Sequence, residues 1–213
     1  MIPVETNKRK VARGGRRSDH SRDEIQSLAI AAATKIVQQD GLAGLSARKI
    51  ANEIGYNVAM LYHFFDNLDH IILKVNAETL NKLFEQLNQA ADKCRQPRTC
   101  IISLGHTYID FALENRNLWN MVFEHSLPDE SEIPDWYQEK VDKMFALVEQ
   151  MIQPLTNDLS SRKLDQAAQA LWCGVHGICI LAITRKLPVE DKEIHALAES
   201  LINNYLIGLT TKT

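Results

Sequence analysis

Apolar residues recur at intervals of three and four along almost the whole chain past Ser21, and alternating runs that would suit strands are scarce. The spacing predicts an all-α fold. Ser21 followed by Glu24 reads as a capping box, and Ile25, Leu28, Ala29, Ala32 and Ile36 form one stripe ending where Gly41 can take a left-handed position, which gives a first helix over about 22–39. Ser46 caps a short second helix carrying Ile50 and Ile54, Gly55 supplies a turn, and Asn57 caps a third helix through Phe64. Two short helices joined at a glycine have the spacing of a helix-turn-helix, whose second helix reads the major groove.

A long helix is expected from about Asn67 to Cys94, capped by Asp66 or Asn67, with Ile71, Val75, Leu80, Leu83 and Leu87 inward. Further helices are predicted over roughly 97–114, 117–125, 135–153, 161–185 and 190–210, with Pro128, Pro134, Pro154 and Pro188 at the joints. That makes about nine helices and no internal repeat. The helix around Trp172 is apolar on nearly every face and reads as buried, whereas the last helix shows one stripe of Ile194, Leu197, Leu201, Tyr205 and Leu209. Paired across two subunits, those last two helices would form a four-helix bundle.

Composition sharpens this picture. With 213 residues, 45% hydrophobic and 24% charged, the chain is long enough for a real core and is not of the disordered or collagenous kind. Four cysteines are too few for a disulfide scaffold, so reduced thiols in a cytoplasmic protein are expected. The first twenty residues hold no apolar run that would suit a signal peptide. The apolar run Leu171–Thr184, broken by Gly174, His176 and Gly177, is short for a membrane span, and no membrane partner is expected. The net charge of −3 conceals an asymmetry, because residues 1–75 sum to +3 and the remainder to −6.

Lys8, Arg9, Lys10, Arg13, Arg16 and Arg17 place six cations in ten residues, and Gly14 and Gly15 oppose a helix across them. Directly before a reading head, such an arm can follow phosphates or enter the minor groove, although a solvated tail has the same composition. Three segments result: a basic arm over 1–21, a helix-turn-helix domain over 22–66, and a regulatory and dimerisation domain over 67–213.

The stretch Arg22–Leu73 resembles the DNA-binding domain of the TetR (tetracycline repressor-like) family of transcriptional regulators. The resemblance rests on Ala32, Gly41, the run Leu45-Ser46-Ala47-Arg48-Lys49-Ile50-Ala51, then Gly55, then Leu61-Tyr62-His63-Phe64-Phe65. It implies a larger all-α C-terminal domain with a ligand cavity, dimerising through its last two long helices, roughly 161–185 and 190–210. Leu61 and Phe65 should pack inward while Tyr62 faces a phosphate. Ser46 opens a helix whose N-terminus suits a phosphate, with Arg48 and Lys49 beside it. The resemblance places Asn57, Val58, Ala59, Met60 and His63 against the groove. Val58, Ala59 and Met60 lack hydrogen-bonding side chains, so reading should lean on thymine methyls, Asn57 and His63, and the half-site should contain A·T pairs. Where the family commonly has a phosphate-binding Lys at the start of the fourth helix, this chain has Leu68, flanked by Asp66 and Asp69, whose carboxylates would repel a phosphate.

Farther on, Trp172, His176 and Gly177 resemble the Trp and His-Gly features of one class of the family's C-terminal domains. His106 and Asp110, one turn apart on an apolar helix, need either a neighbouring side chain or a ligand. His176 poses the same choice. Phe111, Trp119, Phe123, Trp136 and Trp172 are either cavity lining for an apolar or aromatic effector or plain core. Cys94 and Cys100 bracket a helix joint, where inert thiols are the ordinary reading and a redox pair the sharper one. Metal-binding spacings, phosphate loops and nucleophile motifs are absent, so neither a cofactor nor an enzymatic activity is expected. The sequence thus points to a homodimeric regulator, most often a repressor in this family, that binds a palindromic double-stranded operator and releases it on binding a small-molecule effector. The alternative is an all-α ligand-binding or scaffolding module with a vestigial helix-turn-helix.

Overall fold

A computed structural model describes residues 21–128, 132–156, 159–187 and 189–211; the basic arm, Lys8 to Arg17, lies outside them. Among the described residues there are nine α-helices and no strand. The order is α1 (Arg22–Asp40), α2 (Ala47–Glu53), α3 (Val58–Phe64), α4 (Leu68–Asp92), α5 (Pro97–Glu114), α6 (Arg116–Glu124), α7 (Asp135–Ile152), α8 (Ser161–Ile183) and α9 (Asp191–Thr210). Short 3-10 turns follow α1 and α7.

Local chemistry accounts for the starts of the first four helices. The Ser21 hydroxyl accepts from the Glu24 N–H while the Glu24 carboxylate accepts from the Ser21 N–H, closing both arms of the capping box. Ser46, Asn57 and Asn67 each accept from the backbone N–H three residues on, of Lys49, Met60 and His70. The fourth cap is therefore Asn67, not Asp66. Pro97 opens α5 at a position where its missing N–H is not needed.

Two details of the sequence reading need correction at the ends and faces of helices. Gly41 ends α1 with φ +70° and ψ −176°, a region essentially reserved for glycine but not the left-handed helical one. Leu28 leaves the α1 stripe and is 39% exposed, whereas Ile25, Ala29, Ala32 and Ile36 are buried.

Two main cores result. The first joins α1, α2 and α3 to Ile71, Ile72 and Val75 of α4 and to Leu118 and Met121 of α6. It therefore extends beyond residue 66 in the chain. The second is built from the far half of α4 with α5, α7, α8 and α9. On α9 the buried stripe is Ile194, Ala198, Ile202 and Leu206; of the other expected residues Leu201, Tyr205 and Leu209 pack half-buried at its side, and Leu197 is 38% exposed. Helix α8 is long and apolar enough to cross a membrane by length and composition, yet it packs against α5, α7 and α9. Within the single chain it is buried along one side, through Ala167, Ala168, Leu171, Val175 and Cys179.

Candidate functional site

Helices α2 and α3 are seven residues each and meet at Gly55, whose φ of +76° turns the chain without a Cβ in the way. Leu61 and Phe65 are buried in the first core and so set the rotation of α3. That rotation leaves Asn57, Ala59, Met60, Tyr62 and His63 outward, with Tyr62 45% exposed. Val58 is the exception among the expected groove-facing residues, being half-buried and packed on the head's core. The side chain of Gln26 on α1 donates to the carbonyl of Phe64 and ties down the end of α3. Arg48 and Lys49 are exposed beside the Ser46 cap, and Lys49 Nζ lies 3.1 Å from the Asp40 carboxylate.

The start of α4 differs from the expectation of two bare carboxylates. Asp66 Oδ2 lies 3.0 Å from His70 Nδ1, and Asp69 Oδ1 lies 2.8 Å from Nε2 of the nearly buried His125. Each carboxylate thus lies within hydrogen-bond distance of a histidine ring nitrogen, and the Asp66 N–H also points at His70 Nδ1.

Helix α6 touches both cores. Its Leu118 and Met121 sit in the first, Asn117 donates to the carbonyl of Gln38 on α1, and Val122 and Phe123 turn to a cavity on the other side. The cavity has a volume of about 350 Å³, is partly open to solvent and is lined by α4 to α8 with Ile202 of α9. Its aromatic wall consists of Tyr108, Phe123, Tyr137, Phe145 and Trp172.

Of the residues singled out from the sequence, Phe123 and Trp172 therefore line the cavity. Phe111 and Trp119 are buried in the core, off the wall. Trp136, off the wall, packs half-buried against the cluster of Leu73, Ala77, Leu80 and Tyr137, with Lys74 Nζ 3.9 Å from its ring centroid. His106 and Asp110 face α9 instead. Asp110 Oδ1 is 2.8 Å from His195 Nε2, and His106 packs edge-on against His195 with its Nε2 4.0 Å from the Glu199 carboxylate. Asp110 is thus met by a side chain 85 positions later in the chain, whereas His106 Nε2 is buried without a hydrogen-bond partner. Tyr108, Tyr137 and Phe145 are wall residues that sequence reasoning missed, and only a buried phenol on an apolar helix face hinted at the first two.

His176 stands behind the wall in an aromatic surround, stacked on Trp172 at 5.0 Å and near Phe123 and Trp119 at 4.4 and 5.1 Å. Burial lowers its pKa from the ordinary value, so the ring is neutral at neutral pH. The Tyr108 hydroxyl lies 2.8 Å from its Nδ1. Burial raises the Tyr108 pKa far above the usual phenol range, opposed in part by the Trp119 and Trp172 indoles beside its oxygen. With two N–H dipoles near that oxygen, the hydroxyl proton is best placed toward His176 Nδ1. The Trp119 N–H does not reach the geometry of a hydrogen bond and is buried without a partner. Across the cavity, burial also raises the Tyr137 pKa, opposed by the side chain of Asn76.

Cys94 and Cys100 are free thiols close enough to interact, and Cys100 is pushed up to about 11, first by burial and then by its neighbour. No group of three or more His, Cys, Asp or Glu side chains is placed to hold a metal ion among the described residues.

Comparison with known proteins adds three kinds of likeness. Residues 29–75 match the family described as bacterial regulatory proteins, tetR family, and residues 101–205 match the tetracyclin repressor-like C-terminal domain. The HTH-type transcriptional regulator YobS of Bacillus subtilis is 25% identical over 185 residues, covering 86% of this chain and 92% of that protein. A protein of unknown function from Rhodococcus sp. RHA1 superposes with a TM-score of 0.71 at 19% identity, over 92% of this chain and all of that one. The transcriptional regulator FadR from Bacillus subtilis, solved with stearoyl-CoA, gives a TM-score of 0.67 at 14% identity, over 85% of this chain and 98% of that one.

Proposed function

This chain belongs to the tetR family of bacterial regulatory proteins, and we propose that it is a homodimeric repressor that leaves a palindromic operator when a small molecule enters the α4–α8 cavity. The observation that carries this reading is the double placement of α6, with Leu118 and Met121 in the core of the reading head and Val122 and Phe123 on the cavity wall. A ligand that displaces Phe123 then strains the packing that orients α1 and α4. It thereby changes the distance between the two α3 helices of a dimer, and operator half-sites tolerate only matching distances. By linkage, operator DNA must weaken ligand binding by the same factor.

On DNA, the exposed face of α3 enters the major groove. Ala59 and Met60 favour thymine methyls, Asn57 and His63 donate to base edges, and Tyr62 donates to a phosphate. Ser46, Arg48 and Lys49 meet the backbone beside it, and the arm, Lys8 to Arg17, supplies further counter-charge. Dimerisation through α8 and α9 is supported by their outward apolar residues Leu181, Leu197 and Ile207, all exposed in the single chain. A DNA-bound regulator of this kind works in the cytoplasm and needs no cofactor. The FadR structure contains stearoyl-CoA, and a ligand with an apolar portion is the common thread with the cavity of this chain.

Selection of bound duplexes from a random pool tests the reading directly. A palindromic consensus with A·T pairs in each half-site is expected. Recovery of no preferred duplex would favour an all-α binding module with an idle head, and a consensus of G·C pairs alone would overturn the account of α3. Removing residues 1–17 should weaken operator binding and flatten its salt dependence.

A further inference from the structure

The cavity is too large to be a packing fault. Native interiors hold few voids larger than a water molecule, and an apolar void of 150 Å³ already accepts benzene, whereas this one is about 350 Å³. At roughly 30 Å³ for each water-sized group, it holds about a dozen non-hydrogen atoms.

Its chemistry restricts the occupant further. Among the described residues, no Lys, Arg, Asp, Glu or His side chain stands on the wall. A carboxylate, phosphate or ammonium taken inside would therefore lose its hydration and find no counter-charge. The polar side chains that reach the wall are the phenols of Tyr108 and Tyr137. Tyr108 is engaged with His176 and has the indoles of Trp119 and Trp172 beside it, and Tyr137 is beside Asn76. Neither phenol brings a charge to the cavity, because burial holds both in the neutral form. Phe123, Phe145 and Trp172 supply the remaining aromatic contact.

We infer that the effector, on the reading above that the chain is effector-controlled, is an uncharged, mainly hydrocarbon molecule of about a dozen non-hydrogen atoms. This excludes small hydrophilic metabolites and favours compounds of the class of medium-chain alcohols, alkylbenzenes and substituted phenols.

The test uses the full chain at neutral pH, with 1-decanol and 2-phenylphenol as neutral probes and decanoate and decyltrimethylammonium as charged ones. Binding is followed by calorimetry and, for the alkyl probes, by the combined fluorescence of Trp119, Trp136 and Trp172. At least one neutral probe should bind, and decanoate and decyltrimethylammonium should each bind about tenfold or more weakly than 1-decanol. Filling the cavity with Val148→Trp or, separately, Val141→Phe should abolish binding of the neutral probe while the helical signal is retained. Failure of both neutral probes, charged probes that bind as tightly as decanol, or binding untouched in both filled variants overturns the inference. Release of the selected operator is measured in parallel. A neutral probe that binds in the cavity without affecting the operator refutes effector control and leaves the ligand class standing.

Discussion

His125 Nε2 lies 2.8 Å from Asp69 Oδ1, so the residue that ends α6 is fastened to the first turn of α4. The two residues belong to elements whose other contacts differ, one turned to the cavity and one seated under α3. If this contact carries the signal, breaking it should cost more than surface polarity alone. His125→Ala and Asp69→Ala are each expected to destabilise the fold, with a coupling of about 1–2 kcal/mol in a double-mutant cycle followed by urea unfolding. Operator binding without ligand should persist, and the change in operator affinity on adding ligand should shrink. Strictly additive losses with an undiminished ligand response would show that the contact is idle.

Asn57 has two tasks that substitution can separate. Its Oδ1 accepts from the Met60 N–H and caps α3, while the residue stands exposed at the edge of the reading face. Asn57→Ala should cost about 1 kcal/mol of stability through loss of the cap. Asn57→Asp keeps the acceptor and suits the helix N-terminus, so its unfolding midpoint should stay near that of the parent. Operator affinity should nevertheless fall in both, and further in the aspartate because it sets a negative charge against the phosphates. Parent-like operator binding by Asn57→Asp would remove Asn57 from the interface.

What the sequence made legible follows the range of the interactions involved. Capping at Ser21, Ser46, Asn57 and Asn67 depends on atoms three residues apart, and all four caps are present. The inward positions of α4 were readable from their recurrence, and Ile71, Val75, Leu80, Leu83 and Leu87 are all buried, divided among the reading-head core, a cluster with Tyr137 and the second core. Helix α9 has apolar residues on two sides, and periodicity alone cannot say whether Ile202 or Leu201 points to the core. The cavity wall was the least legible part. Whether an aromatic side chain faces a void or a neighbour depends on helices distant in sequence, which is why Phe123 and Trp172 are on the wall while Phe111, Trp119 and Trp136 are not. The same distance hid the partners of Asp110 and His106, which come from α9.

Two glycines of α8 divide the contacts of that helix. A Cβ at Gly174 would come 2.5 Å from Leu201 Cδ2, within the subunit, whereas at Gly177 nothing lies within 4 Å. Gly177→Ala should therefore raise stability by about 1 kcal/mol through helix propensity alone. If α8 faces its own copy in the dimer, a bulky side chain there is another matter. Gly177→Trp should dissociate the dimer, seen as a halved mass in sedimentation and a thermal midpoint that no longer rises with concentration. A dimer unaffected by Gly177→Trp would place the subunit contact elsewhere.

The neutral state of His176 gives the fold a pH dependence of definite sign. Burial lowers its pKa in the folded protein below the ordinary value of 6.5, and Nδ1 is already occupied as the acceptor from Tyr108. Between that lowered value and about 6.5 the unfolded chain binds a proton that the folded chain refuses. Stability is thus undiminished above pH 6.5 and falls as pH drops through this window, levelling off once the folded histidine is itself protonated. In His176→Gln the unfolded chain has no such proton to gain, so the contribution disappears. The variant should be less stable than the parent at neutral pH, because the aromatic stack on Trp172 is lost, yet its unfolding free energy should decline less steeply below pH 6.5. Measuring urea unfolding of both proteins across that window decides the matter, and equal slopes would mean that His176 titrates alike in the folded and unfolded chains.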